Sequence, residues 1–508
     1  MVAAGILLSR IVGLVRNRVF AHYFGTSTAA DAFNAAFRIP NFLQNLFGEG
    51  VLSASLIPVY AGLRASGRTR EAAAVATAVA SLLGLVVSLL VLAGVLLAPW
   101  LIDVIAPGFE GEKRELTVRL VRILFPGAGL LALSAWCLGV LNSHRRFFLS
   151  YVAPVVWNAA IIVALVVFGG RRAQPDLAVI AAWGSVVGSL LQLLLQLPTV
   201  LRVLDGLRPG PLLGPGSQVV LRNFGPVFVG RGVVQISAYV DTLLASLLPT
   251  GAVAAVSYAQ VLYTLPVSLF GMSVSAAELP EMSSATGTGE ERAAHLRARL
   301  ESGLRQIAFL VVPSVVGFVA LGDVVTGALY QSGEFTREMT LYVWGILAGA
   351  SAGLLPSTLG RLYSSAFYAM HDTRTPLRIA LIRVSLGMVL GYVLALHLPG
   401  VLGLGAAWGA AGITLASGLA AGVEYLLLRR ALSRRIGATR LPPGLVGQLW
   451  MAAALAGAAG WLLRAALPPL HPIAVAALVL AVFGLVYFGV GIAAGVPEAR
   501  AVLRRVLP

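Results

Sequence analysis

Long apolar runs separated by short polar turns fill the chain from one end to the other. A bilayer core of about 30 Å takes about 20 apolar residues in a helix. On that scale the runs predict helices near 2–24, 29–61, 75–104, 117–141, 150–169 and 177–201. A second set follows near 219–248, 251–280, 304–330, 340–369, 377–397 and 401–428, and two more lie near 445–467 and 470–495. Charges interrupt the first two. The longest polar connections, around 202–218 and 281–303, leave no room for a separate extramembrane domain. The pattern predicts an all-α polytopic membrane protein of about fourteen transmembrane helices.

Internal repetition sharpens this picture. Leu46-Phe47-Gly48 with Pro58 shortly after recurs as Leu269-Phe270-Gly271 with Pro280 shortly after. Pro126 has a counterpart in Pro356, and the polar corners holding His144 and His371 are each followed by a proline, Pro154 and Pro376. These pairs are spaced by 222 to 230 residues. An even number of helices per copy makes a parallel repeat, with two six-helix lobes. The expected organisation is an N-terminal lobe at 1–208, a C-terminal lobe at 209–440 and two additional helices in 441–508.

Composition agrees and removes whole classes. The chain is 58% hydrophobic and 11% charged, with mean hydropathy +0.87, against about a quarter charged in soluble domains. A cytosolic enzyme, a disordered scaffold and a secreted disulfide module are excluded. The lone Cys137 offers no disulfide framework, and the scattered His22, His144, His295, His371, His397 and His471 have no metal-ligand spacing. No metal and no cofactor is expected.

The net charge of +16 comes mostly from arginine, since Lys113 is the sole lysine. Arg64, Arg68, Arg70, Arg145, Arg146, Arg202, Arg208, Arg222, Arg292, Arg297, Arg299, Arg374, Arg378, the arginines of 429–440 and those of the tail fall on one side. Lys113, Arg114, Arg171, Arg172, Arg337 and Arg464 fall on the other, beside Glu110, Glu112 and Glu115. That asymmetry predicts both termini in the cytoplasm and explains the basic excess without nucleic acid. Arg10, Arg16 and Arg18 break the first apolar run, so a signal peptide is not expected.

Charges inside the spans carry the functional information, because a midplane arginine costs about 2.5–3.5 kcal/mol on insertion scales and faces a cavity or a partner. Arg10, Arg16 and Arg18 lie in the first helix. Asp31, Asn34, Arg38, Asn41, Asn45 and Glu49 are spaced to form one polar stripe on the second, with Gln44 beside it. Pro40 and Gly48-Glu49-Gly50 interrupt that stripe. Three readings stand: a hydrated cationic cavity, an ion-pair network in which Asp31 and Glu49 neutralise Arg38 and Arg10, or an interfacial helix over 5–20. The seventh segment repeats the theme with Arg231, Gln235, Tyr239 and Thr242, and Asp241 is a candidate proton or sodium ligand or a charge partner of Arg231 or Arg16. Asp323, Arg361, Arg383 and Glu424 also lie within or near spans, without a ranking.

The run SRIVGLVRNRVFAHYFGTSTAADAFNAAFRIPNFLQNLFGEGVLSASLIPVY at 9–60 resembles the opening of the bacterial lipid II flippases, the MurJ (MviN) family. LYQSGEFT at 329–336 and FYAMHDTRTP at 367–376 are similar to two further signatures of it. The resemblance extends over essentially the whole chain and implies the multidrug/oligosaccharidyl-lipid/polysaccharide (MOP) exporter fold, with the two C-terminal helices forming a groove for a polyprenyl tail. It also implies functional charges at Arg10, Arg16, Asp31, Arg38 and Glu49, with Arg16 meeting a pyrophosphate. The chain departs from the family pattern at Gln44 and Asn45, where many members have two basic residues, and at Gln260 and Val261, where they have Asp-Arg. Asn17 stands where some carry Asp, and Gly387 and Gly391 stand near positions that are polar in members with a sodium site. A full arginine triad and sodium coupling through the eleventh helix do not carry over directly.

The expected function is a flippase moving an undecaprenyl-diphosphate-linked precursor, lipid II, to the outer leaflet of the bacterial inner membrane by alternating access, as a monomer among membrane lipids. In this reading Arg10, Arg16, Arg38, Asn41 and Gln44 bind the head group, and Pro40, Gly48, Gly50, Pro266 and Gly271 act as hinges. Membrane potential, Na+ or H+ would return the cavity. The alternatives are a paralogue for another undecaprenyl-linked glycan, a cation or drug antiporter, a membrane glycosyltransferase or ligase, and a non-transporting cell-wall scaffold.

Overall fold

The computed structural model describes the backbone of residues 2–47, 49–204, 206, 211–284, 289–439 and 441–506. It describes their side chains except at 2–4, 6, 39, 42–46, 49–51, 53–54, 226–238 and 502–506. Among the described residues the chain is helical, and its one β element is an isolated bridge between Ser332 and Phe335. It divides into two compact units, Met1–Ala254 with Ser332–Phe335, and Ala255–Gln331 with Thr336–Pro508.

The first unit holds α1 (Val2–Phe24), α2 (Thr28–Phe47), α3 (Glu49–Ala65), α4 (Thr69–Leu96), α5 (Ala98–Ile105), α6 (Gly111–Ser143), α7 (Phe147–Phe168), α8 (Gln174–Val203) and α9 (Pro215–Ser246). Helix α6 is its hub, packed on α2, α3, α4 and α8. Ser134 and Trp136 on that hub find buried partners, which offsets the cost of leaving water. Ser134 Oγ donates to Gln196 Oε1 at 3.1 Å and accepts from Gln192 Nε2 at 2.9 Å, while the Trp136 indole donates to the Ala76 carbonyl at 3.0 Å. At the α7–α8 contact a side chain on Gly188 would run into the Trp157 backbone, so glycine permits the close approach. The repeat assigns α9 to the second lobe; by compactness it packs on α2, α3, α4 and α5.

The second unit holds most of α10 (Ala252–Pro266), a wide π-type turn over Val267–Met272, α11 (Ser273–Ser283), α12 (Gly289–Tyr330), α13 (Arg337–Ser351), α14 (Leu354–Ala369), α15 (Arg374–Tyr392), α16 (Leu398–Val401), α17 (Gly409–Ile436), α18 (Pro443–Ala466), α19 (Pro472–Ala493) and α20 (Pro497–Val506). Helix α12 breaks at Leu321, whose φ of −129° and ψ of 16° are not helical. The Trp344 indole donates to the carbonyls of Phe318 and Val319 at 3.0 and 3.2 Å, supplying the donor that the break takes away. A side chain on Gly322 would collide with that indole. The α18–α19 hairpin seals against α12 through Phe309, Val312, Leu449, Ala453 and Tyr487, whose hydroxyl donates to the Phe309 carbonyl at 2.7 Å.

Among the described residues ten helical segments are long and apolar enough to cross a membrane, and α13 with α14, bent by 42°, makes an eleventh. The three other segments expected from the sequence, α1, α2 with α3, and α9, are interrupted by charged residues; fourteen is consistent with this. The repeated corners match in backbone as well. After α6 and after α14 the chain turns through a left-handed non-glycine residue, Arg145 at φ 59° and His371 at φ 60°. In both corners the next N–H reaches back five residues, Arg146 to Leu141 and Asp372 to Phe367, each at 2.9 Å.

Candidate functional site

The candidate residues of the first unit fall into two groups. On α1, Arg16 grips the Asn17 side-chain oxygen through Nη2 at 2.9 Å and Nε at 3.3 Å. Its guanidinium lies 5.2 Å from the Trp157 ring centre and 5.9 Å from that of Phe37, two rings that stack 5.8 Å apart. A guanidinium held on aromatic faces keeps its donor fork in a fixed plane, the geometry that suits phosphate oxygens. Trp157 is fixed in turn by donating to Ser185 Oγ at 3.1 Å. Pro40 and Asn41, one turn beyond Phe37 on α2, line a water-sized cavity of about 10 Å³ against Trp157 and Ser185. Phe37 therefore joins the α2 stripe to Arg16.

Arg38 follows directly. Its carbonyl accepts from the Tyr239 hydroxyl at 3.2 Å, and Asp241 is within electrostatic reach of its guanidinium. The sequence offered Asp241 to Arg231 or Arg16; the structure adds Arg38 to its neighbours. Arg10 is exposed on α1. The side chains of Gln44, Asn45, Glu49, Gly50, Arg231 and Gln235, and Gly48 as a whole, lie outside the described residues.

Asp31 belongs to a different arrangement. It is 1% exposed, and its carboxylate is taken up by the Lys113 ammonium at 2.7 Å and by the N–H groups of Gly251 and Ala254, both at 2.8 Å. Lys113 also stands 4.1 Å from the Phe109 ring centre. The ion-pair reading had offered Asp31 to Arg10 or Arg38; its cationic partner is the sole lysine, 82 residues away. The hinge candidates of the second unit sit at a true irregularity: α10 ends at Pro266, and Gly271 lies in the π-type turn, against Thr358.

Other charged groups stand out only in three dimensions. Arg383 pairs with Glu424 at 3.0 Å across α15 and α17, near Arg361 and the Tyr263–Ser357 hydroxyl pair at 2.8 Å. Asp323, fully buried beyond the α12 break, takes both Arg337 and Arg464. Arg119 and Arg122 lie exposed on α6 in an open groove beside Trp183. Their i, i+3 spacing was a readable signal that the sequence reading passed over.

At the corner after α6, His144 Nε2 meets the Tyr60 hydroxyl at 2.8 Å in a cavity of about 160 Å³ that Arg64 and Arg70 also line. Burial, then the charges of Arg64 and Arg146, hold its imidazole below the usual histidine range. At the matching corner Asp372 accepts from the N–H groups of Arg374 and Thr375, both at 3.0 Å, and pairs with Arg435 at 2.7 Å. The Thr375 bonds, and then Arg435, bring its carboxyl down to about 2.

Comparison with known proteins gives the family of the chain. The family described as "Lipid II flippase MurJ" matches residues 20–484. The "Lipid II flippase MurJ" of Burkholderia cenocepacia is 32% identical over 502 residues, covering 95% of this chain and 94% of that protein. The "Probable lipid II flippase MurJ" of Rhizobium meliloti is 31% identical, covering 96% and 93%. Among solved structures, "Lipid II flippase MurJ, inward closed conformation" superposes with a TM-score of 0.77 at 23% identity, covering 96% of this chain and 98% of that one. An inward-facing multidrug resistance MATE transporter of the MOP superfamily superposes at 0.68 and 18% identity, covering 84% and 95%. With the family matched over nearly the whole chain, and the cationic first two helices in place, this protein belongs to the MurJ lipid II flippase family.

Proposed function

We propose that the chain is a transporter that moves lipid II, an undecaprenyl-diphosphate-linked saccharide-pentapeptide, from the cytoplasmic to the outer leaflet of the bacterial inner membrane by alternating access. The family match over residues 20–484 carries this reading. The chemistry of the first unit supports it: a diphosphate is matched by arginine forks, and Arg16, oriented by Asn17, Trp157 and Phe37, is such a fork on a membrane helix. Arg10 and Arg38 add charge to the same route, and Asn41 and Gln44 offer amides to the sugar. The protein works as a monomer with both termini in the cytoplasm. Moving one charge across 100 mV is worth about 2.3 kcal/mol, so the membrane potential is able to reset a cationic site; Na+ or H+ acting at Asp241 is the alternative source of coupling.

Complementation of a strain depleted of its own lipid II flippase tests this. The wild-type chain rescues growth, whereas Arg16→Ala, at equal membrane abundance, loses roughly 10- to 100-fold in rescue, the worth of one charge-assisted bond to an anion. A wild type that reaches the membrane and fails to rescue removes lipid II as substrate. Equal rescue by both removes Arg16 from the mechanism.

A further inference from the structure

Asp323 is fully buried, yet both of its close partners are arginines, and both bonds fall on one oxygen. Arg337 Nη2 reaches Oδ2 at 2.7 Å and Arg464 Nη2 reaches the same atom at 2.5 Å. Oδ1 is buried with no hydrogen-bond partner. One carboxylate against two guanidinium groups leaves a single positive charge. Each fork has five N–H donors, and the two side chains remain 43% and 30% exposed. The three groups line a cavity of about 280 Å³ whose remaining wall is mostly apolar, including Leu467, Leu470 and Val475.

The site is built from elements that differ in kind. The Leu321 break in α12 sets the local direction of the chain that carries Asp323. Arg337 opens α13, Arg464 closes α18, and Val475 lies in the first turn of α19. Arg464 follows directly on the apolar face of α18, at the level where a spanning helix meets head groups. Both arginines belong to the side that the charge asymmetry leaves poor in arginine, so neither serves to orient the helices.

We infer that this cavity binds the head group of an anionic phospholipid of the outer leaflet, of the phosphatidylglycerol type. Asp323 holds the two guanidinium groups in place, and their outward N–H groups take the phosphodiester oxygens. The glycerol and first methylenes rest on Leu467, Leu470 and Val475. The surplus of one positive charge favours an anionic lipid over a zwitterionic one. The site requires only that the chain span a membrane with the proposed cytoplasmic termini, so it stands or falls separately from the choice of transported substrate.

Native mass spectrometry of the purified full chain, titrated with phosphatidylglycerol or phosphatidylethanolamine, tests the assignment. Phosphatidylglycerol binds the wild type in preference, and Arg464→Gln weakens it about fivefold, the usual weight of one basic residue at a lipid surface. Leu470→Glu places a negative charge at the exposed mouth and leaves the Asp323 pairs intact; it lowers binding by a similar factor even where Arg464→Gln folds poorly. Arg119→Gln with Arg122→Gln, on the open groove of α6, leaves this binding unchanged. The proposal is overturned if Leu470→Glu binds like the wild type, if the α6 control loses as much, or if phosphatidylethanolamine binds equally. Displacement by millimolar inorganic phosphate would likewise overturn it, assigning the site to a free anion.

Discussion

Asp31 and Asp323 are the same residue type at nearly the same burial, one in each compact unit, and their carboxylates are used in opposite ways. Asp31 distributes its donors: Ala254 N–H on Oδ1, Lys113 and Gly251 N–H on Oδ2. Asp323 places two arginines on Oδ2 and leaves Oδ1 without a partner. A saturated buried carboxylate, enclosed on every side, is a structural clasp. One that is half satisfied and flanked by half-exposed cations is a receptor for something else. Burial and charge alone do not separate the two; the count of donors on each oxygen does.

The largest expected effect is on the clasp. Asp31→Ala strands the Lys113 ammonium and two N–H groups, at a cost of about 3–5 kcal/mol. This is read as a fall in the thermal midpoint of the purified protein. Asp323→Asn removes less, about 1–2 kcal/mol, because Arg337 and Arg464 are exposed enough to find water or lipid. If Asp323→Asn proves as damaging as Asp31→Ala, the distinction between clasp and receptor fails.

The same contrast runs through the two repeated corners, with smaller effects. His144 is held below the ordinary histidine value, so the unfolded chain takes up its proton first. Stability from this group is full above about pH 6.5 and falls as the pH drops toward the folded value. A thermal-midpoint profile across pH 5 to 8 should slope downward on the acid side, and His144→Phe should flatten it. Asp372 is the reverse in timing: its contribution holds above the ordinary aspartate value and is lost only as the pH falls through about 2, so it adds no slope between pH 5 and 8. Arg435→Gln, on a partly exposed pair, should cost no more than about 0.5–1 kcal/mol at neutral pH.

Much of this was legible from residue order. Apolar run length gave the polytopic helical fold, and the His144 and His371 corners paired as a repeat; the left-handed turns they share at Arg145 and His371 appear only in the structure. The stripe on α2 drew attention to Arg38 and Asn41, and the structure places Arg38 beside Tyr239 and Asp241 and Asn41 against Trp157. Partner choice was not legible. Asp31 meets Lys113 across 82 residues and the Gly251 N–H across 220, and nothing local favours those groups over the nearer arginines. Phe37 and Trp157 read as routine apolar residues until folding brings them against Arg16. The break in α12 carries no proline at Leu321, and the Trp344 indole that satisfies its freed carbonyls arrives from the next helix.

One detail of the Asp31 clasp gives the molecule a chemical handle. Within these 508 residues Lys113 is the single side-chain amine, and with 13% exposure, a carboxylate at 2.7 Å and an aromatic ring beneath it, it is shielded from acylating reagents. Any motion that parts Asp31 from Lys113 would turn that amine into a nucleophile open to solvent. The rate at which an amine-reactive dye joins this one position is then a direct clock for the opening of the clasp, with no engineered label needed.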